Sequence, residues 1–300
     1  ALVVMAGWPP WVAWLLLLGV FLLIIRFKPP WWVELAGFDL CLVAVIWYAV
    51  RSPSNDREWW PELSVLPEIT RSGSELTIDG FREFDWHPEG EYDARWTSRS
   101  FDLDKLDRLE LVVVPFGDSE TMAHTMMIFG FSDGNRIVLS VEVRKEIGEN
   151  YGLLPGMLKQ FELIYLFGSE HDFLGVRAVE RGERIYAYPV RAEPDFIREL
   201  FVDLTESANS LHLQPRFYRS IRDNCTTTLV KHIDRRLGRK SGLQPEILFN
   251  ARAGELLHRR GHMDTELDYQ QAREQFRIDQ LIRDHIDDPD FPARIRPITE

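Results

Sequence analysis

Two stretches of the chain carry residue types that do chemistry together. The first is Asp223-Asn224-Cys225-Thr226-Thr227-Thr228, a thiol at the start of a helical pattern that runs to Leu237 and stops at Gly238. Leu229, Ile233 and Leu237 recur on one face of that pattern. A thiol in the first turn faces outward N–H groups and the positive end of the helix dipole, which stabilises thiolate and lowers the thiol pKa. The same N–H groups are suited to hold an oxyanion. Helix capping alone does not explain the residue, since serine or threonine would cap better than cysteine.

A thiolate nucleophile needs a base, and the chain has eight histidines. His232 lies on the cysteine's own helix, seven residues on, too far along the axis to reach the thiol. His124 opens the apolar segment AHTMMIFGF, whose neighbours would hold its ring against the core and the site. From sequence alone it reads equally as a satisfied core histidine. The segments Ala123 to Phe131 and Arg136 to Arg144 flank Ser132-Asp133-Gly134-Asn135, a strong hairpin signal. If facing residue numbers sum to about 266, Glu142 stands opposite His124 and Ser140 opposite Met126. A slip of one residue would turn both away. In that register Glu142 orients the imidazole as the third member of a nucleophile, base and orienter set, and its alternative is a surface pair with Arg144 or Lys145. Asn224, Ser140 and Thr226 are expected around the nucleophile as oxyanion donors or supporting groups. Arg144, Glu149, Glu170 and Arg177 are candidate substrate-binding residues, and their alternative is to form ion pairs.

The elements that would position these groups are mixed. Glu75 to Trp86, Tyr92 to Phe101 and Arg108 to Phe116 read as strands, and so do Phe173 to Val179 and Arg184 to Val190. Leu153 to Phe167, Pro194 to Ala208 and a segment around Leu267 to Ile286 read as helices. The fold class is therefore α+β. Before residue 51, Trp11 to Phe27 and Trp31 to Val50 approach the roughly 20 apolar residues that cross a bilayer. The basic loop Arg26-Phe27-Lys28-Pro29-Pro30 between them predicts a two-helix transmembrane hairpin with both outer ends outside the cytoplasm. Glu34 and Asp39 interrupt the second run, where a charge is costly. The expected organisation is a hairpin over 1–52, a β-rich segment over 53–116, a His/Cys core over 117–240 and a helical extension over 241–300. Cys41 falls in the hairpin, so Cys225 is expected to be an unpaired thiol. The net charge of −12 argues against a nucleic-acid partner. No metal-ligand spacing, phosphate loop or dinucleotide fingerprint appears, and no cofactor is implied.

SNDREW (54–59), AHTMMIFGF, SVEVRKEIGE (140–149), FELIYLFGSEHD (161–172) and DNCTTTL, in this order and spacing, resemble the Lnb family of bacterial lipoprotein N-acyltransferases. The resemblance spans most of residues 51 to 240. It implies a permuted papain-like domain in which the histidine precedes the cysteine. It also implies that Cys225 takes an acyl chain from a membrane phospholipid as a thioester and passes it to the α-amino group of a diacylated apolipoprotein. The location implied is the bacterial inner membrane, multi-pass, with the catalytic domain facing the periplasm. An apolar acyl groove is then expected, with Leu153 to Phe167 as a candidate wall. The competing reading is a membrane-anchored thiol hydrolase, a phospholipase or amidase, using the same dyad.

Overall fold

A computed structural model describes residues 15, 18, 19, 22, 26, 31–87, 90–238 and 250–296. The strands in chain order are β1 (Glu68–Ser72), β2 (Glu75–Arg82), β3 (Asp85–Trp86), β4 (Tyr92–Asp93), β5 (Trp96–Asp102), β6 (Leu106–Pro115), β7 (Ala123–Phe131), β8 (Arg136–Arg144), β9 (Glu162–Gly168) and β10 (Tyr186–Pro189). Eight of them form one mixed sheet in the order β1-β2-β9-β8-β7-β6-β10, with β5 also paired to β2. β3 and β4 make a separate ribbon. The α+β class is thus observed.

The β7–β8 hairpin is the backbone of the candidate site. Its turn places Gly134 at φ +90°, and Asp133 Oδ1 accepts from the Asn135 amide at 3.1 Å, the local chemistry that favours an Asp-Gly turn. The ladder pairs Met126 with Ser140 and Gly130 with Arg136, so facing numbers sum to 266. Every residue of β7 is buried, which pins the register because a slip would misplace a whole face.

Two segments read as other elements in the sequence fold differently. Leu153 to Phe167 is a short helix, Leu153–Met157, followed by β9, and all seven residues of β9 are buried. A strand buried on both faces shows a continuous apolar run that periodicity cannot tell from a buried helix. Phe173 to Val179 is not a strand. Ser169 caps a helix, Glu170–Gly175, by accepting from the Asp172 amide, and one π-type turn, Val176–Glu180, follows. The helix expected around Leu267 to Ile286 is broken into Tyr269–Gln275 and Asp279–His285. The break is used by the sheet edge: the Phe276 carbonyl accepts from the Ala187 amide, and the Ile278 amide donates to the Ile185 carbonyl.

The transmembrane hairpin is not supported. Of its first segment, Trp11 to Phe27, only residues 15, 18, 19, 22 and 26 are described. The second is a 20-residue helix, Trp31–Val50, with Glu34 and Asp39 within its run. Among the described residues no helix is long and apolar enough to cross a membrane. Charged side chains inside such a run work against insertion.

The chain packs as two compact units, each drawing on more than one of the expected segments. The smaller comprises 1–60, 143–163 and 215–221. Within it Arg144 lies over the Trp59 ring and donates to Asn55 Oδ1, and Glu149 accepts from the Glu146 amide and from Gln160. The larger comprises 61–142, 164–214 and 222–300. Its sheet is covered by the helices Pro194–Leu213 and Cys225–Arg236, and the C-terminal residues Ala253, Met263, Ala272 and Phe276 pack with Val113, Ala123, Tyr186 and Tyr188.

Candidate active site

All the groups of the candidate site belong to the larger unit. Cys225 is the first residue of the helix Cys225–Arg236, and Asn224 is its cap. Asn224 Oδ1 accepts from the Thr227 amide at 2.8 Å while Thr227 Oγ1 accepts from the Asn224 amide at 2.9 Å. This reciprocal capping box fixes the first turn and the thiol on it. It also gives the Asn224 carboxamide oxygen a structural task. Cys225 is 5% exposed and His124 6%.

The ladder ends at the Met126–Ser140 pair, and beyond it the Glu142 side chain reaches His124. His124 Nε2 lies 2.8 Å from Ser140 Oγ and 3.0 Å from Glu142 Oε1, and Ser140 Oγ donates to the same carboxylate oxygen at 2.7 Å. With Nε2–H shared between these two acceptors, Nδ1 is the nitrogen left for the thiol, and the ring hydrogen-bonds Cys225. Arg177 reaches Glu142 Oε1 at 3.5 Å and Glu183 Oε2 at 3.3 Å. Arg177 is thus spent on ion pairs behind the imidazole. Glu170 is equally committed, in a buried cluster with Arg296, which also binds Glu110.

The charges are arranged to favour a thiolate–imidazolium pair. Burial works to lower the His124 pKa, but the Glu142 charge, with the hydrogen bonds the ring donates to Cys225 and Glu142, overrides it and raises the value to about 9. Burial works to raise the Cys225 thiol, yet its bond to His124, the imidazolium charge and donors from Thr125 bring it down to about 7. Burial pushes Glu142 up, while His124 and Arg177 hold it well below the usual carboxylate range. Such pairing is what activates a cysteine nucleophile.

One residue at the thiol was not anticipated. Asn250, beyond the helix end, places Nδ2 3.6 Å from Cys225 Sγ and 3.0 Å from Thr226 Oγ1. It also binds both backbone groups of Ala123, accepting from its amide at 2.7 Å and donating to its carbonyl at 2.5 Å. Asn250 therefore ties the strand residue before His124 to the helix residue after Cys225. Thr226 Oγ1 bonds Thr125 Oγ1 at 2.9 Å, a second link between strand and helix. The only sequence signal for Asn250 is an amide set in an otherwise apolar run, Ile247 to Ala251.

His232, the other histidine on the helix, is bound elsewhere, to Asp203 Oδ2 at 2.6 Å and Tyr165 Oη at 3.1 Å. Among the described residues no group of three or more His, Cys, Asp or Glu could hold a metal ion.

The pair's titration is directly measurable. Alkylation of Cys225 by iodoacetamide is expected to follow a midpoint near pH 7 and to be lost as pH falls through it, because the thiolate is protonated there. Glu142→Gln removes the charge that raises His124, so the imidazolium weakens and the midpoint moves up toward the ordinary thiol value. A midpoint unchanged in Glu142→Gln would exclude this electrostatic coupling.

A family model described as the Lnb N-terminal periplasmic domain matches residues 92–248, a stretch that contains His124, Ser140, Glu142 and Cys225. No curated protein and no solved structure matches the chain.

Proposed function

The chain belongs to the family of the Lnb N-terminal periplasmic domain, and from that footing we propose that it is a lipoprotein N-acyltransferase working through a Cys225 thioester. The observation that carries the reading is the buried Cys225 and His124 with the half-buried Glu142 against the imidazole, all inside the matched region. A thiol, an imidazole and a carboxylate in that order suit two successive acyl transfers without a cofactor.

In the first half-reaction the Cys225 thiolate attacks an ester carbonyl of a membrane phospholipid and forms a C–S bond. First-turn N–H groups of the helix stabilise the oxyanion. Collapse breaks the ester C–O bond, and the His124 imidazolium gives its proton to the departing lysophospholipid oxygen. In the second, the α-amino group of a diacylated apolipoprotein attacks the thioester and His124 takes its proton. The C–S bond then breaks and the thiolate returns. Glu142 keeps the imidazole oriented throughout, with Ser140 bridging the two and Arg177 fixing the carboxylate.

The acyl donor and acceptor are both lipids, and one element is suited to a lipid surface. The helix Trp31–Val50 exposes Trp31, Phe38, Val43 and Val50 among many apolar side chains. A helix that is apolar on most sides belongs against other apolar matter, and we assign it to contact with the periplasmic face of the inner membrane. Holding the enzyme there raises the effective concentration of both substrates.

The pH dependence of turnover separates this mechanism from simple thiol reactivity. Transfer is expected to rise through about pH 7 as the thiolate forms and to fall above about pH 9 as His124 loses the proton the leaving group needs. Alkylation, which needs no acid, should stay on its plateau above pH 9.

The cellular test is mass spectrometry of N-terminal lipopeptides from a strain relying on this protein for N-acylation. Triacylated lipopeptide is expected, and only diacylated lipopeptide would remove the reading. Free fatty acid released equally fast with and without a lipopeptide acceptor would assign the dyad to a hydrolase instead.

A further inference from the structure

A cavity of about 380 Å³ lies in the larger unit, between β6, β7 and the helices Cys225–Arg236 and Ala253–Arg259. Its size falls within the range of pockets that hold small molecules, roughly 300–1,000 Å³. The fully buried part is lined by Leu109, Met127 and Leu229 and the half-buried walls by Phe196, Ile233 and Leu256. The charged residues that border it and are exposed, Arg191, Glu193 and Arg260, mark its mouth. A ligand seated inside meets hydrocarbon almost everywhere, so it must be apolar along most of its length.

The cavity is tied to the nucleophile by two residues that belong to both. Thr125 and Thr226 line it, their hydroxyls bond each other at 2.9 Å, Thr226 Oγ1 lies 3.9 Å from Cys225 Sγ, and Thr125 donates to the sulfur. Because each hydroxyl is satisfied by the other, this end presents little demand for a polar partner. An apolar site beside a nucleophilic sulfur fits a ligand with one reactive carbonyl and a long hydrocarbon tail.

We propose that this cavity, bounded by Leu109, Met127, Leu229, Phe196, Ile233 and Leu256, binds the linear acyl chain that Cys225 receives and hands on. The inference deepens the acyl-transfer reading and rests on it for the reaction, though not for the binding. It also moves the acyl site from Leu153–Phe167, where the sequence suggested a wall, to the face beneath the nucleophile helix. The leucine and isoleucine stripe of that helix then has two tasks: Leu229 closes the core, and Ile233 lines the chain.

The experiment uses the full chain and two probes. Binding is read with cis-parinaric acid, a fluorescent fatty acid, on Cys225→Ala, which cannot be acylated. Acylation of Cys225 is read by intact mass with p-nitrophenyl butyrate and p-nitrophenyl palmitate. Ile233→Trp narrows the cavity without touching the thiol, and Leu256→Trp serves if the first variant does not fold. Parinaric acid is expected to bind Cys225→Ala and to be lost when Ile233→Trp is added. In Ile233→Trp with the native thiol, the palmitate-to-butyrate ratio of acylation rates is expected to fall by about tenfold or more. An unchanged ratio together with unchanged parinaric acid binding would overturn the cavity assignment, and acylation of Cys225 by both esters would leave the acyl-transfer reading standing. Parinaric acid binding that Ile233→Trp abolishes, with neither ester acylating Cys225, would keep the chain site and overturn the reaction.

Discussion

Cys225→Ser is expected to reduce acyl transfer from phospholipid to lipopeptide by roughly 10⁴-fold, the scale on which removal of one member of a coupled catalytic set acts. The reason lies in the protonation of His124. Glu142 holds the imidazole protonated up to about pH 9, so at neutral pH it is an acid waiting for a leaving group. A thiol lowered to about 7 has already given up its proton under the same conditions and attacks as thiolate. A serine hydroxyl has not, and it would face an imidazolium unable to take its proton. The same charges that suit cysteine therefore disfavour serine, although the side chains differ by one atom. The measurement is the rate of label transfer from a radiolabelled phospholipid, with thermal melting as the control for folding. A serine variant within tenfold of the parent would mean that His124 is neutral in the working enzyme.

The largest effect on stability is expected at Asp172. Its carboxylate is fully buried and accepts from Arg82 Nε at 2.7 Å, Arg82 Nη2 at 2.9 Å, the Phe84 amide at 3.0 Å and Trp86 Nε1 at 2.8 Å. Arg82 is itself buried and lies over the Phe173 ring at 4.0 Å. Asp172→Ala would leave the guanidinium uncompensated and two further N–H donors, the Phe84 amide and the Trp86 indole, without their acceptor. Breaking one partner of such a pair costs about 3–5 kcal/mol. Urea unfolding followed by tryptophan fluorescence measures it, and a loss below about 1 kcal/mol would contradict the account. The consequence reaches the site, since Asp172 sits in the helix Glu170–Gly175 that runs directly into the turn carrying Arg177. Gly168 belongs to the same cluster: a side chain there would collide with the Arg82 carbonyl at 2.3 Å, so glycine is required where β9 meets β2.

What could be read from the sequence were the features set by local rules. The Asp-Gly turn defines the β7–β8 register, and that register decides which carboxylate meets His124. The helix from Cys225 was legible from its stripe and its glycine stop, although Asn224 rather than the thiol proved to be the cap. β9 was not legible, because a strand covered on both faces loses the alternation that identifies a strand. The helix at Glu170–Gly175 was obscured in the same way by the apolar Phe173-Leu174 pair, while its real start signal, Ser169 three residues before Asp172, lies outside the segment read as a strand. Asn250 was beyond reach for another reason. Its role depends on a long-range contact with Ala123, 127 positions away, which no local pattern encodes.

The four expected substrate-binding residues divide along similar lines. Arg177 stands behind the Glu142 carboxylate, and Glu170 is paired with arginine in a buried cluster. Arg144 and Glu149 are held by neighbours in the smaller unit. Charge on a side chain marks it for a partner without saying whether that partner is a ligand or the protein itself.

The central claim is that Cys225 carries the acyl group between two lipids, and intact mass spectrometry after incubation with phospholipid vesicles tests it most directly. The account predicts a gain of one acyl chain, localised to Cys225 by peptide mapping, released by hydroxylamine and discharged by a diacylated lipopeptide. Phospholipid turnover with the adduct on another residue, or with no adduct at any time in a rapidly quenched reaction, would contradict it.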